Sequence, residues 1–396
     1  MTLRCILRSS VLTLGLLASG CVTTGGDVAD IQPGEKPDIT TDEAGLWMVM
    51  NRAERDLKTS GRIESDPELN AYVRGVVCRL KADFCNDIRI YIVNVPNFNA
   101  TMAPNGVMQI WTGALLRLEN EAQLAFVLGH EFGHYQKRHS IQQWRATRET
   151  TDAFAFLAIP FAFAGPAGAL AHGGVGLAMA GGLAGYSRDH EREADSIGFE
   201  LATAAGYDPR EGAKIWERLK EEKDAGEPQD RSIFFASHPQ IEERIENLTA
   251  LADAAQYDAE AMRVGQDDYT AATAEFRSQW LNEEIRKRSF DQTEVVLNRL
   301  IEVNPETSEF HFFLGELYRR QDGEENDRKA VEAYEEALSA GEAPAGTYRS
   351  LGLVYWDLQE NDKAKAAFRQ YLATQPFAGD KGIIESYLKE LGGETS

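Results

Sequence analysis

The chain has 396 residues and only 4 cysteines, and no two of them form a Cys-x-x-Cys pair, so thiol-redox chemistry is excluded as its business. Basic residues are also short, 41 Lys and Arg against 63 Asp and Glu, which gives a net charge of −22. So acidic a surface argues against nucleic acid and anionic lipid headgroups as partners. Long hydrophobic runs are nearly missing. Beyond the N-terminus one uncharged, Gly/Ala-rich stretch runs from Ala153 to Tyr186. Its length could mimic a membrane span, but Pro160, Pro166, the many glycines and His172 argue for a broken hairpin or lid near a functional site. Histidine is rare as well, with 7 in the whole chain, yet two of them fall within five residues.

That pair is the run His130-Glu131-Phe132-Gly133-His134. The preceding Glu121 to Leu128 are helix formers with an apolar face, so the motif is expected on a helix. At 3.6 residues per turn His130 and His134 then project from one face, as two ligands of a single Zn²⁺ must. Glu131 is rotated by about 100° from them, beside the metal, where a general base belongs. Zinc so held lowers the pKa of a bound water to about 7.

Two histidines leave such a zinc one protein ligand short. An extended HExxHxxGxxH pattern needs Gly at 137 and His at 140, where the chain has Lys137 and Ser140. His139 lies about 140° around a continued helix from His134 and reads as a surface or supporting group. A better source is the acidic segment Ser187 to Asp195, which opens a second helical stretch. Glu191 and Asp195 are spaced i,i+4, so one carboxylate can complete the site while the other accepts a ligand imidazole's N–H. Spacing alone leaves open which is which.

These segments, with Tyr186-Ser187-Arg188 and Ala205-Gly206-Tyr207-Asp208-Pro209, resemble the gluzincin peptidases that include HtpX and the Ste-type CAAX prenyl proteases, in particular their soluble periplasmic, BepA-like branch. The resemblance covers roughly residues 40 to 250. It implies Glu191 as third zinc ligand and Asp195 as the residue behind a ligand. It also implies a substrate-binding edge strand over the cleft at Asn99-Ala100-Thr101-Met102-Ala103-Pro104-Asn105-Gly106, before the alternating Val107 to Trp111. Pro-Asn-Gly stands where many relatives show Pro-Gly-Gly. From the residues themselves this is a turn leading into a strand. Finally it implies that His238, in Ser237-His238-Pro239, is an inhibitory fourth ligand. The residues alone read there as a helix entry at Pro239.

At the N-terminus Arg4 and Arg8 precede the short apolar run Val11 to Leu17 and then Ala18-Ser19-Gly20-Cys21, which reads as a lipoprotein signal peptide over residues 1–20. Cys21 is then the lipidated first residue, and residues 21–40 a flexible tether to a membrane. Val22 after it suggests the outer membrane, by analogy with enterobacterial sorting. Cys78 and Cys85 can close a small loop through a disulfide in an oxidising compartment, or remain free thiols.

From about residue 265 the sequence repeats. Ala330, Tyr334, Ala337 and Leu338 return 34 residues later as Ala364, Phe368, Tyr371 and Leu372, and Gly315 and Tyr318 return 37 residues later as Gly352 and Tyr355. This period resembles tetratricopeptide repeats, which bind partner chains on a concave face.

The expectation is an α+β, mainly α protein: a zinc metallopeptidase domain with a small sheet at 41–255, then a repeat domain at 265–396. It binds one Zn²⁺ and takes unfolded or misassembled proteins as substrates. Its repeats contact outer-membrane assembly machinery, and its place is the periplasm. The rival expectation is a scaffold or chaperone in which the zinc is structural.

Overall fold

The structure, a computed structural model, describes residues 28–148, 186–226 and 233–392. The signal peptide with Cys21, and the apolar stretch up to residue 185, lie outside the described residues. Among these residues no helix is long and apolar enough to cross a membrane.

Helices dominate. α1 (Asp42–Lys58) and α2 (Pro67–Leu80) lead into a sheet of β1 (Arg89–Val93), β2 (Ala100–Met102) and β3 (Val107–Trp111), in the order β1-β3-β2. β3 pairs parallel to β1 and antiparallel to β2, which leaves the three-residue β2 at the edge. Its hairpin turns through Gly106 at φ 81°, a left-handed conformation that glycine adopts without a Cβ clash. Cys78 and Cys85 are joined by a disulfide at the end of α2.

After the sheet come α3 (Thr112–Arg117), α4 (Glu121–Gln136), α5 (His139–Arg148), α6 (Arg188–Ala204), α7 (Glu211–Ala225), α8 (Ile233–Ser237) and α9 (Ile241–Ala254). α4 is the central helix: all but its last residue are buried, because it is apolar on every side and is enclosed by its neighbours.

The remaining helices are α10 (Gln266–Arg286), α11 (Phe290–Val303), α12 (Ser308–Arg319), α13 (Glu324–Ala340), α14 (Thr347–Asp357), α15 (Asn361–Thr374) and α16 (Lys381–Glu390). The repeat seen in sequence has a packing basis. A Cβ on Gly315 of α12 would meet the Tyr334 ring of α13 at 2.5 Å, and one on Gly352 of α14 would meet the Phe368 ring of α15 at 2.6 Å. Each helix pair is thus closed by a glycine under an aromatic ring.

Two boundaries differ from the sequence expectation. The flexible tether does not reach residue 40: Ile31 is buried, its N–H donates to the Gln136 carbonyl at 3.0 Å, and Glu35 pairs with Arg138. One apolar residue in a polar run suffices to dock this segment on the end of α4. Nor does the core divide between 255 and 265. One apolar cluster runs from Leu69 of α2 through Trp280 and Ile285 of α10 to Phe310 and Leu317 of α12, and the C-terminal cluster begins only with Ala330 and Tyr334.

Candidate metal centre

The site is built where α4 crosses α6. Asn120 caps α4 by accepting from the Gln123 amide, and Ser187 caps α6 by accepting from the His190 amide. At the crossing Gly129 and Gly133 face Ala194 and Gly198, and a Cβ on Gly198 would stand 2.8 Å from the His130 backbone nitrogen. The two backbones therefore touch, and the i,i+4 pair of α4 histidines meets the i,i+4 pair of α6 carboxylates.

One ligand atom from each of His130, His134, Glu191 and His238 lies within 4.8 Å of the others, and all four residues are buried. His130 Nε2 is 3.0 Å from His134 Nε2, 3.3 Å from His238 Nδ1 and 3.6 Å from Glu191 Oε2. Glu191 Oε1 is 3.1 Å from His238 Nδ1 and 3.5 Å from His134 Nε2. Ligands at 2.0–2.1 Å from a tetrahedral zinc stand about 3.3 Å apart. The four donors fit that tetrahedron, and three imidazoles with one carboxylate suit zinc chemically.

His238 enters from the end of α8, beyond which Gln240 takes a left-handed turn at φ 74° before α9 begins at Ile241. Pro239 is therefore not the helix entry that its position suggests. The turn aims Nδ1 at the ligand cluster and leaves Nε2 3.6 Å from Glu131 Oε1, an atom without a hydrogen-bond partner.

Behind the ligands is Arg244, missed in the sequence reading. It is 2% exposed and lies flat on Trp216, 3.5 Å from the ring centre. Its guanidinium pairs with Glu191 Oε2 at 2.9 Å and with both oxygens of Asp195. Asp195 Oδ1 in turn stands 2.9 Å from His130 Nδ1. A signal existed: Ile241, Arg244, Leu248 and Ala252 are the buried face of α9, and an arginine on such a stripe needs a carboxylate partner.

His139 is also misplaced by a continued helix. α4 ends at Gln136, Arg138 turns left-handed at φ 55°, and α5 restarts at His139. The break returns the imidazole to His134, with the two Nδ1 atoms 2.9 Å apart, in full burial. It is not among the clustered ligand atoms. Arg188 is exposed, and His190 stacks on His139 at 4.2 Å.

Burial dominates the electrostatics. It pushes Glu131 up to about 7, above the usual carboxylate range, against the favourable charge of His238. It lowers His130 to about 4 and His134 well below the ordinary imidazole value, so that both offer lone pairs rather than protons. For Glu191 burial works upward, but the charges of His238 and Arg244 outweigh it and keep the group ionised. Asp195 is likewise raised by burial and lowered further by Arg244 and His130.

The edge strand lies against α4. Within the hairpin Asn99 and Ala103 use their backbone groups toward β3, through Trp111 and Val107. By the two-residue alternation of a strand, Ala100 and Met102 turn theirs away from β3, and the Met102 amide favours the Glu131 carboxylate. Asn99 and Ala100 stand at the start of this edge, Pro104 and Gly106 in its turn.

Comparison with known proteins agrees with this geometry. Residues 63–252 match the sequence profile of peptidase family M48. The chain is 35% identical over 161 residues to the mitochondrial metalloendopeptidase OMA1 of Schizosaccharomyces pombe, covering 40% of this chain and 45% of that one. It is 25% identical over 232 residues to the beta-barrel assembly-enhancing protease of Yersinia pestis, covering 54% and 47%. To the protein of that name in Escherichia coli K12 it is 26% identical over 200 residues, covering 48% and 40%. The chain thus spans about half the length of the curated relatives it matches. The segment that matches the M48 profile contains all four clustered residues, Glu131 and Arg244.

Proposed function

We propose that this protein is a zinc-dependent endopeptidase whose resting site is closed by His238. The observation that carries the reading is the convergence of four buried ligand atoms beside an unpartnered Glu131 oxygen. His130, His134 and Glu191 hold the metal, and Asp195 and Arg244 hold His130 and Glu191 in place. Bound zinc supplies an acidified water and polarises the scissile carbonyl. Glu131 takes the proton of the attacking water and delivers it to the leaving amine, a role suited to a carboxyl raised to about 7. The edge of β2 that faces away from β3, at Ala100 and Met102, aligns an extended substrate by strand addition. His238 stands among the same donors, so on this reading it would have to leave them before turnover.

The relatives named as beta-barrel assembly-enhancing proteases support a role in β-barrel protein assembly; misassembled outer-membrane proteins as substrates are our extension of it, and the periplasm, with Cys21 as lipid anchor, follows from the N-terminal sequence. The glycine-under-aromatic helix pairs support tetratricopeptide repeats that recruit the assembly machinery.

The closed shell also favours a second reading, a scaffold with structural zinc, since four protein ligands are the mark of such sites. Casein cleavage by zinc-loaded protein separates the two. The peptidase reading expects activity lost in Glu131→Gln and raised in His238→Ala. No cleavage by any variant, with one zinc still bound per chain, would favour the scaffold.

A further inference from the structure

The two histidines of the HExxH run are secured by different means. His130 Nδ1 faces a buried carboxylate directly, Asp195 Oδ1 at 2.9 Å. His134 Nδ1 instead faces a third imidazole, His139 Nδ1, also at 2.9 Å. Two ring nitrogens in contact share one proton, so one must donate and the other accept. The far side of His139 settles the direction: its Nε2 is 3.1 Å from Glu193 Oε2, and an ionised carboxylate only accepts. His139 therefore carries its proton on Nε2 and presents a lone pair at Nδ1. His134 must donate from Nδ1, which leaves its Nε2 lone pair facing Glu191 and His130.

The surroundings fix both rings in that register. Tyr186 stacks on His134 at 3.8 Å and His190 stacks on His139 at 4.2 Å, each with planes 16° apart. Lys137 Nζ, 3.3 Å from the other Glu193 oxygen and 3.2 Å from Asp30, steadies the outer end of the chain.

Charge explains why an imidazole stands here rather than a second carboxylate. Buried Glu191 and Asp195, and Glu131 when ionised, already set two to three negative charges against Arg244 and a bound divalent cation. A further carboxylate at residue 139 would add a buried negative charge with no cation beside it. A neutral His139 passes the orienting role outward to Glu193, whose side chain is 45% exposed and solvated.

We propose that His139 is a positioning residue for metal binding: it accepts the Nδ1 proton of His134 and, held by Glu193, fixes the tautomer that offers His134 Nε2 to zinc. The proposal rests on the zinc reading of the site and adds two residues to it.

The test uses the full chain, stripped of metal and titrated with zinc against a chromophoric chelator, as wild type, His139→Phe, His139→Gln and Glu193→Gln. His139→Phe fills the space without an acceptor and is expected to weaken zinc binding 10–100-fold, the usual effect of losing such a partner. His139→Gln restores an acceptor and recovers most of that loss. The surface change Glu193→Gln keeps the fold and loses less, about threefold. Imidazole ¹⁵N spectra of the zinc-free wild type are expected to show His134 protonated at Nδ1, a state that a merely space-filling His139 would not dictate. The proposal is overturned if His139→Phe binds zinc within twofold of wild type, or if His134 is protonated at Nε2. A wild type that binds no zinc yet shows the Nδ1 tautomer overturns the zinc reading itself and removes the proposed role with it.

Discussion

Two of the clusters of buried charge among the described residues are unlike in one respect. Around Arg117 of α3 carboxylates and cations interleave: the guanidinium meets Glu222 of α7 at 2.7 Å and Glu284 of α10 at 2.8 Å, Lys287 reaches Glu284 at 2.9 Å, and Arg299 reaches Glu222 at 3.4 Å. Around His130 one nitrogen or oxygen from each of His130, His134, Glu191 and His238 lies within 4.8 Å of the others. The first cluster pairs carboxylates with cations of the protein itself and ties α10 to α3 and α7. On the proposed reading the second takes a cation from outside. Burial of charge therefore does not mark a functional site; convergence of acceptors does.

The comparison breaks most readily at Arg117. Arg117→Leu takes the shared cation from two buried carboxylates, leaving Glu284 only Lys287 and Glu222 only Arg299, and is expected to cost about 3–5 kcal/mol in chemical denaturation. The folded variant should still bind one zinc per chain, and a loss of zinc stoichiometry would show that the two clusters are not separate. Zinc removal is the converse experiment. At free zinc a thousandfold above its Kd, the metal contributes about 4 kcal/mol to stability by mass action. A chelator should lower the melting temperature of wild type accordingly and leave that of His130→Ala nearly unmoved.

The smallest effect belongs to a third cluster whose cations reach solvent. Burial raises Glu54, but Arg89, Tyr91 and Lys58 outweigh it and hold the carboxyl at about 2, below the ordinary 4.5. The folded state thus binds its proton later than the unfolded chain, so this stability is complete above pH 4.5 and is lost as pH falls toward 2. After screening at the half-exposed partners it is worth about 1 kcal/mol. Glu54→Gln should flatten the acid limb of the stability curve by that amount in denaturant titrations. An unchanged limb would mean that the cluster is electrostatically idle.

The parts of the site legible in sequence are those set by helical spacing. His130 and His134, and Glu191 and Asp195, each recur at i,i+4 within one helix, so sequence could place each pair on one face. Spacing could not say that Gly129 and Gly133 let the two helices touch, nor which carboxylate faces the ligand cluster; Arg244 decides the latter from α9. His139 and His238 depend on left-handed residues at Arg138 and Gln240, neither of them glycine, and so carry no turn signal that a reader would trust. The helix repeat was legible because its aromatics recur after 34 residues and its glycines after 37. The join to the peptidase region was not, because α10 and α11 share its core without sharing its motifs.

The account is tested most directly by zinc-edge X-ray absorption on the loaded full-length protein, in wild type and His238→Ala. It predicts one zinc per chain with three imidazoles and one carboxylate oxygen in wild type, and two imidazoles with an added water oxygen in the variant. Fewer than one zinc, or identical spectra from the two proteins, would contradict it.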